Sequence, residues 1–414
     1  MSNVGIIGGG PAGIMCAIFA SQNPENKIFI FDKNIILNTI LPTGGGRCNL
    51  AYSEFNFKEL AKFYPRGEKF LYSVFSRFST KDTLDFFNKI GVKIYVQDDL
   101  RIFPITDCAK DVKTALLKQL EKKNIKKVFE NVLKVKNLEN GFELATDKGV
   151  HIVDKLVIAT GGKGNGHKLA ESLGHHITEL KPSLSALVTK EKEFACVSGI
   201  SLKNISAQVF FNNKKLKLPK NVQTGDFLFT HNGISGPLVY KISSYCAYVD
   251  FNENVPLKIE LNLVNKDAAE FDEALLAELK GKAQKDVLNV ISKYVPKHLA
   301  AVILQRENIN TSVKAGQLSK KDREKIVKNL TSLCFNAIKP VSGEEIVTAG
   351  GVDLKEVDAK TMGSKLVSDL YFCGEVLDID GLTGGFNLQN CWSTGYVAGV
   401  SLTCAGKQAG IKSD

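Results

Sequence analysis

The 414-residue sequence predicts an α/β protein in which both chain ends form one nucleotide-binding domain around an inserted domain. Three observations predict this fold class. A strand, a glycine-rich turn, a helix and a second strand open the chain; a second glycine-rich block follows a strand near its end; and the composition changes around Pro182. We therefore expect the nucleotide-binding domain to comprise an N-terminal segment, 1–181, and a C-terminal segment, 343–414, with the inserted domain at 182–342.

The opening elements form a βαβ unit. The apolar run 4–7 is a short buried strand, 14–21 is an apolar helix, and 28–31 is a second strand that ends at Asp32. A G-x-G-x-x-G turn between the first strand and the helix is the Rossmann-like fingerprint for a bound dinucleotide in its required context. The alternative is a glycine-rich turn that binds nothing.

Each residue type in this turn has a physical reason. Gly8 permits the tight turn, Gly10 lets the backbone approach a pyrophosphate, and Gly13 lets helix and strand pack closely. The helix begins at Pro11 and Ala12, and the free N–H groups that follow Pro11 in its first turn favour phosphate. Asp32 is placed to accept hydrogen bonds from ribose hydroxyls, and an acid there disfavours the additional phosphate of NADP. FAD and NAD both remain open at this point.

A second glycine block, 44–46, follows soon after the βαβ unit. Consecutive glycines indicate backbone that lies against a flat or phosphorylated ligand, and Gly45 and Gly46 are candidate contacts. Arg47 could hold a phosphate oxygen, and Cys48 could face the ligand. No resolving cysteine is evident for Cys48, which argues against a reactive thiol. An ordinary flexible loop is the alternative.

The remainder of the N-terminal segment favours a flavoprotein over a plain dehydrogenase. Residues 113–123 predict an amphipathic helix, and 128–135, 142–146 and 150–153 predict an antiparallel meander. A strand at 156–159 then ends in a turn at Thr160 and Gly161. A meander followed by such a turn suits a flavoprotein fold made of two halves, in which the turn passes near the cofactor.

The chain changes character after Pro182 and returns to nucleotide-fold character at 346–351. We expect 182–265 to be rich in short strands and 266–342 to be helical. The C-terminal segment then has a strand at 370–373 that leads into Gly374 and Glu375. Later, Gly384 and Gly385 precede a helix of small residues, whose N-terminal dipole would favour negative charge on the pyrimidine side of a reduced flavin. A terminal helix that only docks on the core is the alternative.

Together these segments resemble the BaiN-type family of bacterial three-domain flavoproteins, over nearly the whole chain. The blocks that carry the resemblance are Gly8 to Gly13, Gly44 to Asn49, Arg101 to Pro104, Phe229 to Pro237, Thr348 to Val352, Thr361 to Lys365 and Gly374 to Gln389. The resemblance implies noncovalent FAD in a domain made from both chain ends. Members include a reductase of bile-acid intermediates and an aminoacetone oxidase, so it implies a flavin rather than one substrate.

The resemblance also implies residue roles. The pyrophosphate would lie at Ala12 and its neighbours, the adenosine ribose at Asp32, adenine at the Val132 backbone, and the ribityl chain at Glu375. The isoalloxazine would meet Phe386, Asn387 and Leu388. The full expected cofactor-binding set is Gly8, Gly10, Pro11, Ala12, Gly13, Asp32, Lys33, Gly45, Gly46, Arg47, Cys48, Val132, Thr160, Gly161, Gly374, Glu375, Gly385, Phe386, Asn387 and Leu388.

This sequence departs from the family pattern in two places. Only Lys163 separates the Thr-Gly-Gly turn from Gly164-Asn165-Gly166, where the family has a longer loop. The Thr-Asn pair that usually follows Gly-Arg-Cys-Asn is replaced by Leu50-Ala51-Tyr52. Both departures fall where we expect the flavin or the substrate entrance, so the substrate of another member does not transfer to this chain.

Composition narrows the function class. The nine cysteines include no C-x-x-C pair, which argues against structural zinc, a disulfide framework and a redox-active disulfide; no metal-ligand cluster is evident. The net charge of +10 is compatible with an anionic partner, although a solvated Lys-rich surface is the simpler explanation. No segment predicts a signal peptide or a membrane span, so we expect a cytoplasmic protein.

The sequence thus predicts an FAD-dependent oxidoreductase that transfers hydride through flavin N5 between NAD(P)H and a small organic substrate. No second complete G-x-G-x-x-G is visible, so the nicotinamide would dock only transiently. His231 is the candidate catalytic proton donor, with a structural histidine as the alternative; Tyr52 and Tyr64 are further candidates without a distinguishing signal. Alternative functions are an amine oxidase that uses O₂, a flavoprotein that modifies tRNA, and a flavin-holding redox sensor.

Overall fold

The computed structural model describes residues 1–341, 343 and 345–403. The strands up to residue 183 are β1 (Ser2–Ile7), β2 (Asn26–Phe31), β3 (Ala51–Tyr52), β4 (Ile94–Val96), β5 (Arg101–Pro104), β6 (Ile125–Val128), β7 (Val132–Leu138), β8 (Gly141–Thr146), β9 (Val150–Val153), β10 (Lys155–Ile158) and β11 (Lys181–Ser183). The helices of this stretch are α1 (Pro11–Ala20), α2 (Phe57–Ala61), α3 (Glu68–Phe75), α4 (Thr80–Lys89), α5 (Ala109–Lys118) and α6 (Gly166–Ser172).

The remaining elements follow in chain order. The strands are β12 (Leu187–Thr189), β13 (Ser201–Phe211), β14 (Lys214–Lys215), β15 (Thr224–Thr230), β16 (Gly233–Ser235), β17 (Leu257–Asn262), β18 (Leu333–Pro340), β19 (Val347–Ala349) and β20 (Leu370–Phe372). The helices are α7 (Pro237–Tyr245), α8 (Ala268–Gly281), α9 (Val287–Ile291), α10 (Lys297–Arg306), α11 (Lys320–Thr331) and α12 (Phe386–Thr403). The chain forms two compact units, one from Met1–Lys181 with the stretch that begins at Val347, and the other from Pro182–Ile346.

The first unit is built on a five-stranded parallel sheet with the order β20-β10-β1-β2-β6. Val4 to Ile7 pair with Lys155 to Ile158, and Ile158 pairs with Phe372, so the last strand joins the sheet formed by the first. The carboxyl ends of β1, β10 and β20 therefore meet at one edge. In open α/β sheets this edge is where ligands bind.

Helices α1 and α12 pack closely because small residues face each other. A Cβ atom on Gly395 would lie 2.4 Å from the carbonyl oxygen of Ala12, and one on Gly399 would lie 2.6 Å from that of Cys16. The rings of Phe19 and Tyr396 lie beside this contact, 4.6 Å apart. The first and last helices of the described chain thus share one buried interface.

Two predicted elements of this unit differ from the structure. The strand expected at 128–135 is two strands: β6 (Ile125–Val128) runs parallel to β2, and β7 begins only at Val132. The sequence pattern does not indicate β6 because Lys126 and Lys127 leave few apolar residues in this strand. The meander β7-β8-β9 is antiparallel, as expected. The helix expected at 113–123 lies earlier, at Ala109–Lys118, because a turn follows it.

The second unit contains a closed antiparallel barrel. Its sheet order is β14-β13-β15-β16-β12-β18-β17, and β13 also pairs with β17, which closes six strands into a ring. Phe194, Phe227, Phe229 and Phe335 pack together in its core. The expectation that 266–342 is helical throughout is wrong, because this segment ends in strand β18. Strand β18 follows α11, has alternating buried residues, and pairs with β17 and β12.

None of the helices in residues 1–341 and 345–403 is long and apolar enough to cross a membrane.

Candidate functional site

The turn after β1 is shaped by glycines that have no room for a side chain. Gly8 has a φ of +110°, and a Cβ atom there would lie 2.3 Å from the carbonyl oxygen of Ala159. A Cβ atom on Gly13 would lie 2.0 Å from the carbonyl oxygen of Gly8. Helix α1 therefore starts as close to the strand end as backbone contact allows.

Gly10 differs from these two glycines because a Cβ atom on it would point into open space. It has an extended conformation, with φ −78° and ψ −176°, and the nearest atom to a Cβ there is Thr39 Oγ1 at 3.8 Å. Pro11 and Ala12 begin α1, which has neither a side-chain cap nor an acidic residue in its first turn. The first amides of the helix and the open side of Gly10 together make a site for an anionic group such as phosphate.

Asp32 directly follows β2 beside this turn. Its Oδ2 accepts a hydrogen bond from the Gly9 N–H at 2.7 Å, and its Oδ1 accepts one from the Asn34 N–H at 2.8 Å. Each carboxylate oxygen can accept a second hydrogen bond, so the ribose role remains available. Lys33, the next residue, is exposed.

The three glycines at 44–46 all adopt left-handed backbone conformations, with φ of +59°, +70° and +88°. A Cβ atom on Gly45 or Gly46 would meet no atom within 4 Å. The strip of backbone next to these two residues is therefore open to a ligand, and the left-handed φ values explain why glycine is needed.

Arg47 and Cys48 have other surroundings. The Arg47 Nε donates to the Gly44 carbonyl at 3.1 Å, its guanidinium lies over the Phe103 ring at 4.1 Å, and it is 3.9 Å from an Asp107 oxygen. Its phosphate contact stays a prediction. Cys48 is buried, and burial raises the pKa of its thiol to about 12, so it carries its proton at neutral pH. A protonated, buried thiol is a packing residue rather than a nucleophile.

The turn after β10 contacts both the meander and the C-terminal segment. The Asn165 side-chain amide donates to the Val132 carbonyl at 2.7 Å, which fixes the segment expected at adenine. Thr160 and Gly161, with a φ of +71°, begin this turn. A Cβ atom on Gly162 would lie 2.7 Å from Glu375 Oε1, so the turn lies against the residue expected at the ribityl chain.

Gly374 and Glu375 follow β20 at the same sheet edge. Gly374 has a φ of +79°, and a Cβ atom on it would lie 2.7 Å from the Ala12 Cβ; its N–H donates to Thr394 Oγ1 at 2.9 Å. Glu375 Oε1 accepts from the Thr348 N–H at 2.9 Å. The C-terminal block therefore lies directly against the first turn of α1.

Burial raises the pKa of Glu375 to about 7; the Thr348 amide opposes this shift, and the Asp380 carboxylate adds to it. The unfolded chain releases this proton near pH 4.5, whereas the folded protein keeps it to about pH 7. Ionisation in the folded state is therefore unfavourable, and the free energy of unfolding falls as the pH rises through this interval. The total loss is at most about 3 kcal/mol.

We expect Glu375→Gln to flatten this pH dependence in the apoprotein. The measurement is urea unfolding at several pH values across the interval. Glu253→Gln, at an exposed position of the other unit, controls for the loss of one carboxylate. A Glu375→Gln protein that loses stability with pH as steeply as the wild type would contradict the assignment.

The loop before α12 is held by backbone contacts. Gly385 has a φ of +98°, and a Cβ atom on it would lie 2.6 Å from the carbonyl oxygen of Ala51. The Asn387 side chain donates to the Gly381 carbonyl and accepts from the Gly381 N–H, both at 2.8 Å. Its amide thus closes the loop, while Leu388 is half-buried on the first turn of α12.

The segment 63–66 fixes the same loop from the other side. The Leu382 N–H donates to the Phe63 carbonyl at 2.9 Å. The Tyr64 hydroxyl donates to the Phe386 carbonyl at 2.6 Å. The Arg66 guanidinium forms a two-pronged ion pair with the Asp380 carboxylate.

The structure thus brings the expected cofactor residues of both chain ends to one edge of one unit. His231 belongs to the second unit, at an exposed hairpin turn between β15 and β16, and its catalytic role stays a prediction. Tyr64 is buried and its hydroxyl is committed to a carbonyl, which argues against its role as a proton donor.

The sequence did not reveal the role of Arg66 or of Thr348. Arg66 lies 314 positions from Asp380, in a short link between α2 and α3 that has no motif of its own. Asp380 stands in a recognised block, but nothing in that block indicates a buried cation as its partner. Only the folded backbone shows which arginine the carboxylate meets.

Comparison with known proteins decides the family. The family described as HI0933-like protein Rossmann domain matches residues 2–401 of this chain. The chain belongs to that family. The HI0933-like family is one of FAD-dependent oxidoreductases, so the resemblance to BaiN-type flavoproteins, the Rossmann-type α/β fold and the flavin-dependent class are confirmed.

Three individual proteins are similar to this chain. It is 30% identical to a 3-dehydro-bile acid delta(4,6)-reductase of Clostridium scindens, over 96% of this chain and 98% of that protein. It is 28% identical to the ribosomal RNA dihydrouridine synthase of Escherichia coli, over 97% and 98%. Among solved structures, a mutant FrdA subunit of E. coli quinol fumarate reductase matches with a TM-score of 0.50 and 14% identity, over 99% of this chain and 71% of that one. This last match shows the fold alone.

The residues present fit FAD. The uncapped N-terminus of α1 and the open side of Gly10 suit the pyrophosphate, and the spare acceptor sites of Asp32 suit the adenosine ribose. The open backbone at Gly45 and Gly46 suits a flat ligand. The roles of the individual residues remain predictions.

Proposed function

We propose that this protein reduces a carbon–carbon double bond conjugated to a carbonyl group, with FAD as its cofactor and NAD(P)H as the electron donor. The observation that carries the proposal is the chemistry shared by the two relatives that match nearly the whole chain. The names of these relatives indicate reduction of an unsaturated oxo-steroid and formation of dihydrouridine. Both reactions add hydrogen across a double bond next to a carbonyl group, although the substrates differ greatly in size.

FAD supplies the two-electron chemistry when it is bound. The residues of this chain bind and orient it: the first amides of α1 hold the pyrophosphate, Asp32 holds the adenosine ribose, and Glu375 meets the ribityl chain. Helix α12 begins directly after the loop fixed by Arg66 and Asp380, and the dipole of its N-terminus would stabilise negative charge on the pyrimidine side of a reduced flavin. These roles follow the resemblance and agree with the arrangement of the backbone.

The experiment is anaerobic titration of the purified yellow holoprotein, first with NADH and then with NADPH. We expect one of them to bleach the visible flavin band and a conjugated enone to restore it. The Gly10→Ala protein, which we expect to bind FAD poorly, serves as the control for background reduction. Bleaching by neither nicotinamide would overturn NAD(P)H as the donor and favour the amine-oxidase alternative.

A uridine in RNA is a second candidate substrate, since one relative is named as a ribosomal RNA dihydrouridine synthase. The chain carries 54 basic and 44 acidic residues, and the lysine-rich stretch from α5 to β7 includes Phe129, whose surface is 54% exposed. Lysines with an exposed aromatic ring are the residue types that bind single-stranded RNA. This candidate predicts RNA binding whose affinity falls steeply as the salt concentration rises. Binding that does not depend on salt, or the absence of RNA binding, would exclude this candidate.

A further inference from the structure

Tyr52 stands at one of the two places where this sequence departs from its family. It is the last of the three residues, Leu50-Ala51-Tyr52, that replace the usual Thr-Asn pair after Gly-Arg-Cys-Asn. In the structure it ends the two-residue strand β3 and pairs with Arg101 of β5. A larger aromatic residue at this point is thus a property of this chain rather than of the family pattern.

The Tyr52 ring lies against the turn at which α12 begins. Its centroid is 4.8 Å from that of Phe386 and 5.3 Å from that of Phe63. A Cβ atom on Gly384 would lie 3.6 Å from the Tyr52 Cδ2. The isoalloxazine ring is expected at this same turn. The phenol of Tyr52 would therefore offer an exchangeable proton beside that ring.

Tyr52 and its neighbour Tyr64 differ in the state of their hydroxyl groups. Tyr64 is buried and donates to the Phe386 carbonyl at 2.6 Å. Tyr52 is half-buried, and its hydroxyl has no hydrogen-bond partner within residues 1–341 and 345–403. Burial raises the pKa of the Tyr52 phenol, and the carboxylates of Asp99 and Glu54 raise it further. The phenol therefore carries its proton at neutral pH and has no acceptor for it in the described part of the chain.

We propose that Tyr52 is the catalytic residue that gives its phenolic proton to the substrate. The inference rests on the proposed reduction of a conjugated double bond. In that reaction FAD, once reduced by NAD(P)H, would supply a hydride with its electron pair, and this hydride joins the carbon farther from the carbonyl group. The Tyr52 O–H bond breaks and a C–H bond forms at the carbon next to the carbonyl group; the phenolate then takes a proton from water. The half-buried ring of Phe63, which stacks on the buried ring of Phe386, would form the wall beside a planar conjugated substrate.

The first test concerns the position of Tyr52 and needs no substrate. A tyrosine ring next to an isoalloxazine ring quenches flavin fluorescence by electron transfer, whereas phenylalanine does not. We expect the Tyr52→Phe holoprotein to bind FAD as the wild type does but to emit more strongly. Tyr72→Phe is the matched control, because Tyr72 lies on α3 and its hydroxyl is bonded to Glu68 at 2.6 Å. Equal emission from the Tyr52→Phe, Tyr72→Phe and wild-type proteins would overturn the inference.

The second test concerns the proton. The holoprotein is reduced anaerobically and mixed with cyclohexenone, the probe for a cyclic enone. We expect Tyr52→Phe to slow reoxidation about 100-fold and to leave flavin reduction unchanged, since a positioned acid contributes at least about that factor. We also expect the solvent isotope effect on reoxidation in the wild type to change in the variant.

The two failures can be told apart. If cyclohexenone reoxidises the wild type and Tyr52→Phe equally fast, Tyr52 is not the donor and the proposed function stands. If NAD(P)H bleaches the wild type but neither cyclohexenone nor an oxo-diene steroid nor uridine-containing RNA reoxidises it, the proposed function itself is overturned.

Discussion

Replacing Gly10 with alanine is expected to weaken FAD binding about 100-fold, equivalent to about 2.7 kcal/mol, while the apoprotein keeps its fold. The backbone at Gly10 suits alanine, since its φ is −78°, and a Cβ atom there would meet nothing closer than Thr39 Oγ1 at 3.8 Å. The added methyl group would instead occupy the space proposed for the pyrophosphate. The measurement is FAD titration of the apoprotein, with thermal unfolding measured in parallel.

Two matched variants separate this effect from a general loss of structure. Gly13→Ala would place its Cβ 2.0 Å from the Gly8 carbonyl oxygen, so we expect it to destabilise the apoprotein as well. Gly281→Ala, at the end of α8, would meet no atom within 4 Å and should change neither property. Normal FAD binding by Gly10→Ala would contradict the placement of the cofactor at the α1 turn.

Replacing Asp380 with asparagine is expected to lower the free energy of unfolding by about 3 kcal/mol and to promote loss of FAD. The Asp380 side chain is fully buried and that of Arg66 is 14% exposed, so the variant leaves a guanidinium with much less negative charge around it. The same change loosens the loop that also holds Leu382 and Phe386. Urea unfolding of apoprotein and holoprotein measures both effects.

The control for this prediction is an ion pair at the surface. Asp99 and Arg101 are paired at 2.7 Å but are about half exposed, so Asp99→Asn should cost less than about 1 kcal/mol. Arg66→Lys keeps the charge but loses the two-pronged geometry, and we expect an intermediate effect. An Asp380→Asn protein as stable as Asp99→Asn would show that the buried pair does not hold the loop.

Sequence reasoning succeeded where a structural signal is local. The βαβ unit was predicted because a strand, three spaced glycines, a helix and a terminal acid lie within the first 32 residues. The turn at Gly374 was predicted for a similar reason, since it directly follows an apolar strand. The family followed from the order of several such blocks.

The remainder depends on contacts between distant residues. No local pattern indicates that β13 pairs with β17 to close the barrel, or that β18 follows four helices and still belongs to it. The ion pair between Arg66 and Asp380 is likewise not indicated by any local pattern, because charged residues of both types are also common on the protein surface. Strand β6 was missed because Lys126 and Lys127 outweigh the apolar residues beside them.

The adjacency of β1, β10 and β20 has a consequence for protein synthesis. The ribosome makes β1 and α1 before the second unit, but it makes their partners β20 and α12 only after the whole of that unit. The barrel can fold while the chain is still being translated, because all its strands lie between residues 187 and 340. The parallel sheet lacks β20 until Phe372 has been made, and α1 exposes the apolar face that α12 later covers until about residue 403. A nascent chain that stalls within α12 would thus carry a finished barrel and an uncovered α1, and such exposed apolar surface favours the binding of a chaperone.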